Sequence, residues 1–290
     1  EVVIEEVAEE AAAEPAPLAP VAAAPAAARP APAGGQAFAV AVTRWARPPA
    51  QEAAALGPAL GMTAYDFRLK FAGPLPLVIG QHLDAAAAGA LVAPLAERGH
   101  GVITLDMRLV PPAGSLFEVR EFRTTPDALQ LADRRGQRLD LAWDEIQALI
   151  RAVYIEDRPD AESSQAPQPL HRSDGERLAD MGGARREQVL YAIPRDATRS
   201  ALLRENTVRY EGLGTNMQQT RQQNFATLVE TLRRHAPAAF YDDRLNRAAH
   251  TQAQSAISAV LGAGDSADTP VAVTDLLVQV LLAAQLQGQL

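Results

Sequence analysis

The chain has 290 residues, no cysteine and a formal net charge of −8. Lacking cysteine, it has no disulfide, thiolate zinc site, iron–sulfur cluster or cysteine nucleophile, and its acidic balance argues against coating DNA or RNA as its main task. Apolar residues make up 48%, much of it alanine, and aromatics only 5%, so the length suits about two domains with small cores.

Residues 1–35 are almost all Ala, Pro, Glu and Val and end in Gly34-Gly35. Ala-Pro repeats are stiff, extended and unable to bury a core, so this stretch reads as a disordered linker. Its head, EVVIEEVAEE, is acidic with no basic start, which is not a signal peptide. Beginning at Glu1 and not Met, the chain reads as a fragment or processed product with a further domain upstream. A cytoplasmic location is the expectation.

Between Gln36 and Met107 the pattern is strand, helix, helix, strand, helix, strand. Phe38, Val40 and Val42 alternate along the first strand. Thr63 caps the second helix, with Asp66 three residues on in an imperfect capping box. LPLVI is a short strand, Asp84 and Gly99 bound the third helix, and GVITLD closes the unit. Pro58 predicts a first helix that ends or bends near Leu56, and Pro94 predicts a kink over 90–94. The module, 36–110, is expected to be a three-stranded antiparallel sheet with three helices on one face and the other face more exposed. Its predicted core is Phe38, Val40, Leu60, Phe67, Leu69, Leu77, Ile79, Leu91, Leu95, Val102 and Leu105. Pro111-Pro112 and Gly114 end it.

A second region, 115–245, reads as an antiparallel sheet with helices. LFEVREF, DALQLAD and QRLDL are strands, the last two joined by a turn at Arg134-Arg135-Gly136. AWDEIQALIRAVY predicts a helix over 142–154, with Trp143, Ile146, Leu149, Ile150 and Val153 on one face and Trp143 as a core anchor. The polar stretch of about 157–184 reads as a disordered insertion. EQVLYAIPRD, SALLRENT and VRYEGLG are further strands. Thr220 then caps an amphipathic helix bearing Phe225, Leu228, Val229 and Leu232, which Pro237 stops.

The tail, 249–290, predicts helices over 249–262 and 270–287 separated by GAGDSADTP. The second starts at Pro270, with Asp268 or Thr269 as cap, and carries Val271, Leu276, Leu277, Val280, Leu281 and Leu282. Thr274, Asp275 and Gln279 interrupt it, so no transmembrane helix is expected. So apolar a helix either folds back on the chain or serves self-association or partner binding. The fold class is α+β: a small β-α-α-β-α-β module, then an antiparallel-sheet domain closed by an amphipathic helix, then a helical tail.

The text LGMTAYDFRLKFAGPLPLVIGQHLDAAAAGALVAPLAERGHGVITLD, with Gly61-Met62 at the turn and Gly99 at the helix stop, resembles the C-terminal domain of the bacterial ribosomal stalk protein. The Ala/Pro/Glu-rich lead-in resembles that family's hinge. The Clp protease adaptor shares this small fold, and the match does not separate the two. The resemblance implies a fold and a habit of binding proteins. The stalk family's lysines have no counterpart in QEAAALGPALG, and the Clp adaptor's pocket motifs have none around Gln81-His82, so ribosomal function does not carry over. The second region is similar, more weakly, to pleckstrin-homology-like domains.

Catalytic and cofactor signals are missing from the sequence. The five histidines, His82, His100, His171, His235 and His250, have no metal-site spacing. GLGT at 212–215 and MGGA at 181–184 are too short for phosphate loops and read as turns. No GxSxG surrounds a serine. No catalytic residue, metal or cofactor is therefore assigned. Arg185, Arg186, Arg195, Arg199, Arg204 and Arg209, interleaved with Tyr191 and Tyr210, form a basic stretch that is a candidate for anion contact on phospholipid or nucleic acid; its plainer reading is a solvated strand face. The sequence favours a non-enzymatic interaction, regulatory or scaffold protein with another protein as partner. Phospholipid or nucleic-acid binding and an enzyme with a dispersed site are the alternatives.

Overall fold

Alternation along FAVAVTR gives β1 (Phe38–Arg44) two unlike faces, valines to one side and small residues to the other. In the structure, a computed structural model describing residues 37–111, 115–156, 185–196, 199–247 and 270–290, both faces are covered. α1 (Pro49–Ala59) starts with proline in its first turn, where a missing N–H costs nothing. It runs past Leu56 through Pro58, which falls in the last turn and forfeits a single helical bond. α2 (Ala64–Lys70) is capped by Thr63, whose Oγ1 accepts from the Asp66 N–H at 3.1 Å. β2 is Leu77–Leu83, and α3 (Ala85–Glu97) is capped by Asp84, which accepts from the Ala87 N–H at 2.7 Å. α3 runs as one helix through Pro94, and Gly99 ends its last turn at φ 79°. β3 (Gly101–Asp106) completes a sheet of order β2-β1-β3, antiparallel throughout, with Val42 opposite Val102.

One face of this sheet packs on the helices through Val40, Val42, Ala53, Leu56, Phe67, Phe71, Ile79 and Leu95. Two members of the predicted core do not belong there. Leu69 is 62% exposed, because Phe67 and Phe71 define the inner face of α2 and a residue two positions from Phe67 points away. Leu105 is only half-buried and outside the cluster.

The second half builds two more sheets. β4 (Phe117–Val119) and β5 (Glu121–Thr124) split the single expected strand LFEVREF between different sheets. β5 pairs with β6 (Ala128–Ala132), and β6 with β7 (Arg138–Ala142). β8 (Ile146–Glu156), β9 (Arg185–Pro194), β10 (Ala201–Arg204) and β11 (Phe240–Asp242) join β4 in a sheet of order β11-β8-β9-β10-β4. Its outermost pairs, β11 with β8 and β10 with β4, are parallel.

The helix expected over 142–154 is thus a strand. A strand covered on both faces reads as a near-continuous apolar run and hides its period of two. Ala148, Ile150, Ala152 and Tyr154 face one core while Leu149 faces another, and a register shift between Ile146 and Ala148 turns Ile146 to the side of Leu149. Trp143 sits in the turn before β8, stacked on His235 at 4.6 Å, with its Nε1–H donating to the Thr125 carbonyl at 3.0 Å. VRYEGLG also departs from strand: it runs into a 3-10 segment, Glu211–Asn216, with Val208, Tyr210 and Leu213 in the core.

α4 (Arg221–His235), capped by Thr220 through the Gln223 N–H, buries Phe225, Leu228, Val229 and Leu232 against one side of the five-stranded sheet and the β5–β6–β7 sheet. α5 (Pro270–Leu286) fills the other side with Val273, Leu277, Val278, Leu281 and Leu282. α5 also packs on β1 and β3. The face of the three-stranded sheet expected to be more exposed is therefore covered: Ala39, Ala41, Thr43 and Ile103 are all buried. The apolar residues of α5 are thus used within the chain, which is the fold-back arrangement among the expected outcomes. The described residues from 37 onward belong to one compact unit. The expected linker over 1–35, the insertion over about 157–184 and the helix over 249–262 lie outside the described residues, as do Pro112, Gly114, Asp268, Thr269 and the side chain of Val271.

Candidate functional site at the outer edge of β4

The basic stretch does not converge. Arg186 and Arg195 stand nine residues apart along β9 and its end, about 30 Å at strand rise. Arg195 donates to the Asp144 carbonyl at 3.3 Å. Arg204 pairs with buried Glu187 through Nε at 2.8 Å and lies 5.5 Å from the centre of the Tyr154 ring. Arg209 pairs with Glu121 at 2.7 Å. Arg186 is exposed, and the side chain of Arg185 lies outside the described residues. Among the described residues no group of His, Asp and Glu has the arrangement of a metal site, and no helix is long and apolar enough to cross a membrane.

Arg199, by contrast, meets two arginines from a distant turn. In the β6–β7 hairpin, Asp133 Oδ1 accepts the N–H groups of Arg135 and Gln137, both at 2.8 Å, and Gly136 takes φ 78°. Such an aspartate-closed turn with glycine at the left-handed position exposes the side chains at its tip, here Arg134 and Arg135. Facing them, β4 contributes Phe117 and Glu118, and Arg199 enters from just before β10. Together they line an open cleft of about 550 Å³. Among the described residues none of the three arginines forms an ion pair.

β4 is the terminal strand of its sheet. The Phe117 N–H bonds to the Ser200 carbonyl at 3.0 Å, on the β10 side. Backbone groups alternate in direction along a strand, so the N–H and C=O of Glu118 point away from β10, and two residues on the Arg120 N–H bonds to the Ala132 carbonyl of β6 at 2.7 Å. The turn at Arg134-Arg135-Gly136 is legible in sequence. That its arginines meet Arg199 and a strand edge is a tertiary fact.

Two clusters of groups with shifted acidities lie elsewhere, in packed interior. Glu52, 1% exposed, accepts from Arg98 Nε, lies 3.6 Å from Arg47 and 3.9 Å from His100 Nε2; the Arg98 hydrogen bond holds its carboxyl below the usual range. His100 accepts the Ala46 N–H at Nδ1, and burial pushes its pKa down. In the second cluster Asp275 of α5 accepts from Tyr154 at 2.9 Å and Tyr191 at 2.5 Å, and the two phenols are 2.7 Å apart. Burial pushes all three upward. Neither cluster lines the cleft; the first packs under Trp45 and the second fastens α5 to β8 and β9.

No protein-family model, curated protein or solved structure matches the chain.

Proposed function

We propose that this chain is a non-enzymatic interaction or scaffold protein that holds another protein along the outer edge of β4. The observation that carries this reading is the open cleft of about 550 Å³ beside an unpaired strand edge, with the acid–base clusters packed away from it. A free strand edge offers main-chain donors and acceptors to an incoming polypeptide. The element order β1-α1-α2-β2-α3-β3 supports keeping residues 36–110 beside the ribosomal-stalk and Clp-adaptor modules as a protein-binding fold. Phospholipid or nucleic-acid binding through Arg185–Arg209 has less support, because Arg204 and Arg209 already hold carboxylates.

Photocrosslinking tests the reading. A photoreactive residue replacing Gln137, in the cleft, should give discrete protein adducts in the cells that make the chain. The same residue replacing exposed Gln222 on α4 should not. Adducts only to lipid or nucleic acid, or none at Gln137, would overturn it.

A further inference from the structure

We infer that the occupant of this cleft is a short extended peptide of alternating acidic and apolar residues, added as a strand beside β4. The inference rests on the protein-binding reading above and names its ligand. Three features of the cleft select that chemistry.

The first is the edge itself. β4 has three residues, and of these Glu118 alone turns its N–H and C=O outward. An added strand thus gains few main-chain hydrogen bonds and needs side-chain contacts to hold it. The second is charge. Arg134, Arg135 and Arg199 bring three positive charges against Glu118 and Asp133, and the Asp133 carboxylate is engaged by two backbone N–H groups of its own turn. The local balance is positive, three guanidinium groups against two carboxylates, which favours an acidic occupant. Guanidinium groups suit it, being planar forks that grip carboxylates at two points. The third is the floor. Phe117 is half-buried and packs on the same core as Leu139, so apolar side chains of the incoming strand have a surface to cover. Alternate residues of a strand face opposite ways, which puts acids toward the arginines and apolar groups toward that floor.

The experiment uses the full chain and a fluorescent, acetyl- and amide-blocked hexapeptide of alternating Val and Glu, read by fluorescence anisotropy. Binding should be saturable and weaken with salt. It should fall about tenfold or more in R134Q/R135Q and in R199Q, the size expected for losing a charge-assisted hydrogen bond. R195Q should leave it unchanged. The Val–Gln peptide should bind at least about tenfold more weakly on the same reasoning. A Val–Glu peptide N-methylated at every backbone amide should lose binding, since it has no N–H left to donate to the Glu118 carbonyl.

Equal binding of the Val–Gln peptide would overturn the acidic specificity. Equal binding of the N-methylated peptide would overturn strand addition. No binding of the Val–Glu peptide, with protein crosslinks still present at Gln137, would sink this inference and leave the protein-binding reading standing. Loss of both would remove the two together. The arginines are exposed, so fold loss is not expected; should a variant unfold, the peptide series on the unaltered chain decides.

Discussion

Gly212 lies against the carbonyl of Phe122 so closely that a Cβ there would stand 2.1 Å from that oxygen. Glycine is required at this point by the approach of one backbone to another. Gly212→Ala is expected to destabilise by at least about 1–3 kcal/mol, the range for overpacking. Gly89, exposed in α3 with open space around it, should behave oppositely. Gly89→Ala should stabilise by about 0.5–1 kcal/mol, and urea denaturation of the pair measures both. Charge at the residue scale gives a second expectation. Burial raises the pKa of Asp275 above 3.8, although the phenols of Tyr154 and Tyr191 act against the rise. The groups facing it are those two tyrosines, with Arg204, paired to Glu187, over the Tyr154 ring. A carboxyl with a raised folded pKa contributes its full stability below the unfolded value and loses it as pH rises through the folded value. Asp275→Asn keeps a carbonyl acceptor for the phenols and removes that titration. The stability of the variant relative to the parent should therefore increase as pH rises from below 3.8. A difference that stays flat or shrinks on thermal unfolding at several pH values would refute the account. Glu52 works at the acid end in the other sense: its lowered pKa gives stability that is present above 4.5 and lost as pH falls through the folded value.

Elements fixed by local chemistry were legible in the sequence. The caps Thr63, Asp84 and Thr220 each accept from the N–H three residues on, since capping needs only the residue and the turn it starts. Thr220→Ala should accordingly cost about 1 kcal/mol, read as a shift of the urea midpoint with unchanged slope. The amphipathic stripe of α4 was legible for the same reason, because one face meets core and the other water. β8 was not. Its second buried face is created by α5, more than a hundred residues further on, and apolar residues at nearly every position imitate a helical stripe. The face of β1 made of Ala39, Ala41 and Thr43 was likewise expected to be more exposed, whereas its small residues admit a helix at close range. The candidate site divides along the same line. Asp133 to Gly136 announces a turn, but the meeting of Arg134 and Arg135 with Arg199 and the edge of β4 is set by sheet order.

At the scale of the whole molecule, α5 is shared between two sheets. It packs on β8, on β1 and on β3, and Thr43 Oγ1 donates to the Gln289 carbonyl at 3.5 Å just beyond its end. Leu276, Leu277, Val278, Val280, Leu281 and Leu282 are all at or below 7% exposure. Burying side chains of this size is worth about 1.5–3 kcal/mol each. Their sum rivals the entire net stability of an ordinary domain, about 5–15 kcal/mol. Ending the chain at residue 269 would also leave Tyr154 and Tyr191 without Asp275 and expose the alanine face of β1. The expected outcome is loss of fixed packing in both sheets, not the trimming of a tail. Near-ultraviolet circular dichroism should collapse while part of the far-ultraviolet signal remains, and a hydrophobic dye should bind. A synthetic peptide of residues 268–290, added in trans, should restore the near-ultraviolet signal in a saturable way, since it supplies the missing side of both cores. A truncated chain that keeps its near-ultraviolet spectrum and a single sharp thermal transition would show that the two sheets hold without α5, and the shared-helix account would fail.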